Sequence, residues 1–193
     1  MIKRREKWAT SLSRKPWRKF AALLPVLSAD TVAAIKELNA PRKICGTPCP
    51  ANLQRVNYGT LITLQSVGAG TYYETATNLV AALFPEIKRE RIDNAPAADV
   101  LGVVAMIARE MERIGKLFAT LNNDPTPEEQ RAGVELLQFG AFGIADYYAK
   151  RMGITDHETA FKTPWARIFK CLSMDKARGD YEKRLRNILQ NNK

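Results

Sequence analysis

Six apolar residues constrain this chain more than any others: Val100, Val104, Ile107, Met111, Ile114 and Phe118. Their steps are 4, 3, 4, 3 and 4 residues. That rhythm keeps one stripe of an α-helix apolar and packs it against another helix at a shallow angle. It predicts a helix from about Pro96 to Leu121. Asn94 or Ala95 precedes it, and Pro96 sits in the first turn, where proline is tolerated. Glu112 and Lys116 form an i,i+4 pair on its wet side.

A second long helix is expected from Pro127 to about Met152. Thr126 is its N-cap, Pro127 its first residue and Glu129 its third, a capping box with a proline start. Gly153 supplies the stop. Its apolar face is wide and includes Val134, Leu137, Phe139, Phe142, Ile144, Tyr147 and Tyr148. Gly133, Gly140 and Gly143 lie inside it. Each costs about 1 kcal/mol of helix propensity relative to Ala. Close approach of another helix backbone would offset that cost; a hinge at Gly140–Gly143 is the functional alternative. The two long helices, 96–121 and 127–152, are expected to pack antiparallel across a short connection.

Proline and glycine divide the remainder. Residues 2–13 suit a short basic helix, broken at Lys15-Pro16. Ser28 or Asp30 would cap a helix over Thr31–Leu38, and Ala40–Ala51 is a loop. Val56–Val67 mixes strand and helix formers, and reads as helix because nothing nearby offers a strand partner. Glu74–Phe84 is a helix stopped by Pro85. Two more helices close the chain. The first is Pro164–Cys171, capped by Thr163; the second starts at Asp175 or Asp180 and turns Tyr181, Leu185, Ile188 and Leu189 inward. The expected fold is all-α: an irregular helical bundle of six to eight helices. A basic N-terminal arm occupies 1–19, and a single helical domain occupies 20–193.

Charge is unevenly placed. Residues 1–19 hold eight Lys/Arg against Glu6, a net +7. Residues 162–193 hold nine against three acids, a net +6, and the body between them is net −3. Cationic ends on a mildly acidic body seek anions. The basic ends offer Arg4, Arg5, Lys7, Trp8, Arg14, Lys15, Trp17, Arg18, Lys19, Lys183, Arg184 and Arg186 as contacts. Cations interleaved with Trp suit DNA or RNA, by phosphate contact and base stacking. They equally suit an arm that docks its Trp residues onto a neighbouring subunit.

Chemistry-bearing patterns are weak. Cys45 and Cys49 form C-x₃-C in a Pro/Gly loop, too wide for a redox C-x-x-C pair. Zinc would have to recruit Cys171 and His157 from far away. His157 follows Thr155-Asp156, which reads as a helix N-cap, and no nucleophile elbow accompanies it. Gly68-Ala69-Gly70 lacks the lysine of a phosphate cradle. No cofactor or metal is implied, and no enzyme activity is expected. The longest uncharged run, Val56–Tyr73, carries Asn, Thr, Gln and Gly and cannot cross a bilayer. The basic start followed by Ala21–Leu27 has the outline of a signal peptide, but Trp8, Trp17 and Pro25 argue against one. Three cysteines, an odd number, fit a reducing compartment.

Several segments of the C-terminal half resemble small helical proteins encoded by tailed bacteriophages. They are Glu128-Glu129-Gln130-Arg131-Ala132-Gly133, then Phe139-Gly140-Ala141-Phe142-Gly143-Ile144-Ala145-Asp146-Tyr147-Tyr148-Ala149, then Arg151-Met152-Gly153-Ile154, then Thr163-Pro164-Trp165. The layout is similar to that of tail-assembly chaperones: a helical body, an apolar–Tyr–basic–apolar–Gly segment, then a helix opened by Pro-Trp. Tyr58–Gln65 looks like a phage-type segment of the same kind. The resemblance implies a non-enzymatic assembly or structural protein of the host cytoplasm or the virion. Its partners would be phage structural proteins or further copies of itself. The net charge of +10 departs from what a chaperone of an apolar tape protein needs, and points as well to a head–tail component or to nucleic-acid binding.

Overall fold

A computed structural model describes residues 14–24, 37–68, 70–122 and 125–191. The expected helices over 2–13 and Thr31–Leu38 fall wholly or mainly outside those residues. The fold is all-α. Among the described residues there are nine α-helices and a single two-stranded hairpin. The helices are α1 (Trp17–Ala21), α2 (Tyr58–Ser66), α3 (Tyr72–Leu83), α4 (Arg89–Asn94), α5 (Ala97–Ala119), α6 (Pro127–Arg131), α7 (Gly140–Met152), α8 (His157–Lys162) and α9 (Trp165–Asn191). The hairpin pairs β1 (Lys43–Ile44) with β2 (Thr47–Pro48) inside the expected loop.

The chain divides into two compact units. The first comprises Met1–Leu53 and Thr63–Arg113, and the second Gln54–Ile62 and Ile114–Lys193. In the first, Trp17 and Phe20 of α1 are fully buried. Trp17 stacks on Phe20 and Tyr73, and its indole N–H donates to the Thr77 hydroxyl at 3.0 Å. Thr77 donates in turn to the Tyr73 carbonyl at 2.7 Å, so this buried hydroxyl is satisfied in both senses. Helix α3 begins two residues earlier than expected because Thr71 and Glu74 form a capping box. Glu110 ties α5 to the preceding loop. Its carboxylate accepts from the Leu53 N–H at 3.0 Å and takes two bonds from the Arg113 guanidinium at 2.9 Å. The Arg113 bonds, more than the Leu53 one, hold Glu110 below the usual carboxylate range.

Helix α5 carries the expected seam, with Val100, Ile107 and Ile114 fully buried. The stripe is wider than four-three spacing predicts, since Leu101, Val103, Ala105 and Met106 are buried too. Gly102 explains part of that width. A Cβ there would lie 2.3 Å from the Asn39 carbonyl oxygen, so only glycine admits the loop backbone at that distance.

One device appears in both units. In the first, Pro16 and Pro96 form an isolated antiparallel bridge. The Trp17 N–H donates to the Ala95 carbonyl at 2.8 Å, and the Ala97 N–H to the Lys15 carbonyl at 2.9 Å. In the second, Asn57 bridges Pro164. There the Tyr58 N–H donates to Thr163 at 2.8 Å and the Trp165 N–H to Val56 at 3.2 Å. Each bridge fastens the starts of two helices that are remote in sequence. It also satisfies amide groups that a helix N-terminus leaves without an intrahelical partner.

The expected 127–152 helix is not one element. Gly133 adopts φ 78° and ends α6, a 3₁₀ turn follows over Val134–Leu136, and Gly140 adopts φ 53° at the start of α7. Two residues in the left-handed region break the helical ladder, so no second long helix exists there to pair with α5. At the C-terminus the opposite happens. The two expected helices are one, Trp165–Asn191, because Leu172-Ser173-Met174 contains nothing that stops a helix and Gly179 is absorbed mid-helix. Among the described residues, no helix is long and apolar enough to cross a membrane.

Candidate interaction surface

The sequence-derived contact residues part company in the structure. Arg4, Arg5, Lys7 and Trp8 lie outside the described residues. Arg14, Lys15, Arg18 and Lys19 are exposed. Trp17 is not a contact residue: it is fully buried, its ring clamped by aromatics and its N–H bonded to Thr77. Pro16 opens a helix there, and the helix turns Trp17 and Phe20 inward together. Lys183, Arg184 and Arg186 are exposed on α9, as expected.

The three glycines do not admit a neighbouring helix. Around Gly140 a Cβ would meet nothing within 4 Å. Its role is conformational, as is that of Gly133, both at positive φ. At Gly143 a Cβ would lie 2.5 Å from the Phe139 Cβ, a close approach made by the residue that caps its own helix.

What these breaks produce is apolar exposure. Leu136 is 82% exposed, Phe139 68% and Leu137 63%. As one helix, this segment would carry such residues on a packed face. With a left-handed residue on each side, the 3₁₀ turn and its flank turn them to solvent. Phe142 is also exposed on its outer side, while its ring rests 4.8 Å from that of His157. His157 follows the expected N-cap, since the Asp156 carboxylate accepts from the N–H groups of Glu158 and Thr159. Its Nε2 lies 3.1 Å from Asp146, which also takes a 2.7 Å bond from Lys150. The Lys150 bond first, then the His157 one, depresses the Asp146 carboxyl.

Helix α9 presents two faces. Trp165 and Ile168 are buried, and Phe118 meets Trp165 at a tilt and Phe169 edge to face. Further along, Leu172, Lys176, Gly179 and Lys183 line an open groove of about 840 Å³, faced by Phe118, Ile144 and Tyr147. Asp175 holds that junction. It accepts from the Tyr147 hydroxyl at 3.1 Å and pairs with Arg151 at 3.0 Å. Tyr181, Leu185, Ile188 and Leu189, expected to point inward, are exposed, and so is Met174. Among the described residues nothing covers them.

Cys45 sits in the hairpin turn and Cys49 directly follows β2, both as free thiols. Burial raises both pKa values, only partly offset at Cys45 by the Arg91 guanidinium, which works against a reactive thiolate. Among the described residues no three His, Cys, Asp or Glu side chains are grouped to hold a metal ion.

Of these exposed residues, the sequence places Leu137, Phe139, Phe142 and Tyr147 on the apolar face of one long helix. The signal that separates them is the pair Gly133 and Gly140, seven residues apart and bracketing Val134–Phe139. No protein-family model, curated protein or solved structure matches the chain.

Proposed function

We propose that this protein is a non-enzymatic assembly component that works by protein–protein contact, of the kind tailed bacteriophages use in building a tail or a head–tail joint. One observation carries the proposal. Eleven large apolar side chains between Leu136 and Leu189 are exposed, all in the second unit. Single exposed apolar residues are ordinary, but a concentration in one region marks a surface that meets a partner. Four of the eleven, Phe139, Phe142, Tyr147 and Met152, fall in the phage-type segments quoted above, and that overlap supports the virion setting.

The direct test is to incubate the protein with tail and capsid proteins and separate the complexes by size. A complex is expected with the wild type, weakened at least tenfold by Leu137→Asp with Phe139→Asp. Failure to bind any of them would count against the proposal.

Nucleic-acid binding is the second reading, favoured by the exposure of Arg14, Lys15, Arg18, Lys19, Lys183, Arg184 and Arg186. With Trp17 buried, it rests on phosphate contact rather than stacking. If six to ten phosphates are engaged, affinity falls by about 10³–10⁵ between about 50 and 200 mM salt. A lack of DNA or RNA binding at low salt removes this reading.

A further inference from the structure

Helix α9 turns two different faces outward from its axis. Leu172, Lys176, Gly179 and Lys183 form the wall of the groove in its own unit. At about 100° per residue, Met174, Tyr181, Leu185 and Ile188 lie roughly half a turn away from that wall. They repeat in steps of 7, 4 and 3 and make an apolar stripe facing away from the unit that bears it. All four are exposed, Tyr181 and Ile188 at 57% each. A stripe of this rhythm is the form in which a helix offers itself to a partner surface.

The same unit carries a second apolar surface of opposite electrostatic character. Residues 125–142 hold Glu128, Glu129 and Glu135 against one base, Arg131, for a net −2. Arg131 is turned onto Glu128 at 3.2 Å. Leu136, Leu137 and Phe139 stand exposed in that acidic setting. Residues 174–191 of α9 hold five Lys/Arg against three acids, for a net +2, with Arg178 and Arg184 flanking the stripe.

We infer that the stripe of one copy docks on the Leu136–Phe139 surface of a second copy, apolar face to apolar face and base to acid. Charge selects this pairing over its rivals. Stripe against stripe sets +2 on +2, and the acidic surface against itself sets −2 on −2, whereas the mixed contact sets opposite charges together. The contact is heterologous, so each bound copy keeps one unused surface of each kind. Repetition then gives a closed ring or an open filament. The inference deepens the proposed assembly role and rests on it, naming the first partner as the chain itself.

Size measurement by light scattering tests it with paired variants of the full chain. The donor variant carries Tyr181→Glu and Ile188→Glu; the acceptor variant carries Leu136→Lys and Leu137→Lys. All four positions are exposed, so far-UV circular dichroism should match the wild type. The wild type should grow in mass between about 1 μM and 1 mM, the range of modest affinities, and shrink as salt is added. Each variant alone should be a monomer. Mixed in equal amounts, they should form a two-subunit complex and nothing larger, because one supplies the intact stripe and the other the intact acidic surface.

Other outcomes overturn the inference. Monomers in the mixture, beside an assembling wild type, would show an isologous contact. Assembly surviving only in the acceptor variant would show stripe against stripe, surviving only in the donor variant the acidic surface against itself, and surviving in both an interface elsewhere. Assembly lost only on Arg4→Glu with Arg5→Glu and Trp8→Ala would assign the acidic surface to the N-terminal segment. A wild type that stays monomeric ends the self-docking inference. If it still binds a tail or capsid protein through Leu136 and Leu137, the assembly role stands; if it binds none, both fall.

Discussion

The two units use the same fastening and reach different ends. Each bridges two helix starts through a pair of backbone hydrogen bonds, Trp17 with Ala95 in one and Tyr58 with Thr163 in the other. Yet among the described residues 18 of the 27 buried apolar residues belong to the first unit, while 11 of the 12 large exposed ones belong to the second. A fastened helix start does not by itself close a core. Closure depends on what lies beyond the start. In the first unit α1 and α4 are short, and α5 buries a broad apolar stripe there. In the second, α9 runs on for 27 residues after its buried opening at Trp165 and Ile168. Among the described residues the contrast is that of a unit with most of its large apolar side chains inside and one that leaves many of them at the surface.

The strongest way to break that contrast is at Trp17. Trp17→Ala empties a fully buried site and should cost about 3–5 kcal/mol in chemical denaturation, while Tyr181→Ala should stay within about 0.5 kcal/mol. Equal losses would erase the distinction between a closed and an open unit.

Next comes Gly102→Ala. Its Cβ would strike the Asn39 carbonyl at 2.3 Å, and the backbone must shift. A loss of about 1–3 kcal/mol is expected from the same denaturation curves. No loss would mean that the first unit is looser than its burial indicates.

Gly140→Ala should destabilise by about 1–2 kcal/mol, because alanine is strained at φ 53° although the space around it is empty. Unchanged stability would show that the break before α7 relaxes freely. Gly179→Ala should do the reverse. It sits mid-helix with nothing within 4 Å, so a gain of about 0.4–1 kcal/mol is expected in thermal unfolding. A loss there would reveal a contact on the groove face of α9.

The last effect shows only at alkaline pH and vanishes near neutrality. Burial pushes the Tyr58 hydroxyl up to about 12 from an ordinary value near 10. Its folded pKa is therefore the higher one. The stability it contributes is complete below pH 10 and is lost as the pH rises towards 12. Tyr58→Phe should flatten unfolding curves recorded across that window. An unchanged slope would mean that the hydroxyl reaches water.

What the sequence disclosed divides along physical lines. The α5 seam, the Thr126–Glu129 capping box, the Asp156 cap and the all-helical class depend on local spacing and were legible. Gly133 and Gly140 were visible as helix-weakening residues. Their positive φ was not, because propensity does not tell a costly helical glycine from one that is required to leave the helix. The exposure of Leu136, Phe139 and Tyr181 was likewise hidden. Periodicity identifies an apolar face but not what covers it. Trp17 misled for the converse reason: neighbouring charges suggested a surface arm, and only tertiary contacts with Tyr73 and Thr77 place it inside.

The bridge between Asn57 and Pro164 also has a consequence on the ribosome. Residues 54–62 emerge ahead of the second stretch of the first unit, yet they belong with Ile114–Lys193. Their bonding partners at Thr163 and Trp165 are translated more than a hundred residues later. At about 5–20 residues per second, the newborn chain waits roughly 5–20 s with Tyr58 unfastened. The first unit meanwhile has every residue it needs once Arg113 is out. Translation thus supplies all of the first unit's residues before the second unit can be fastened.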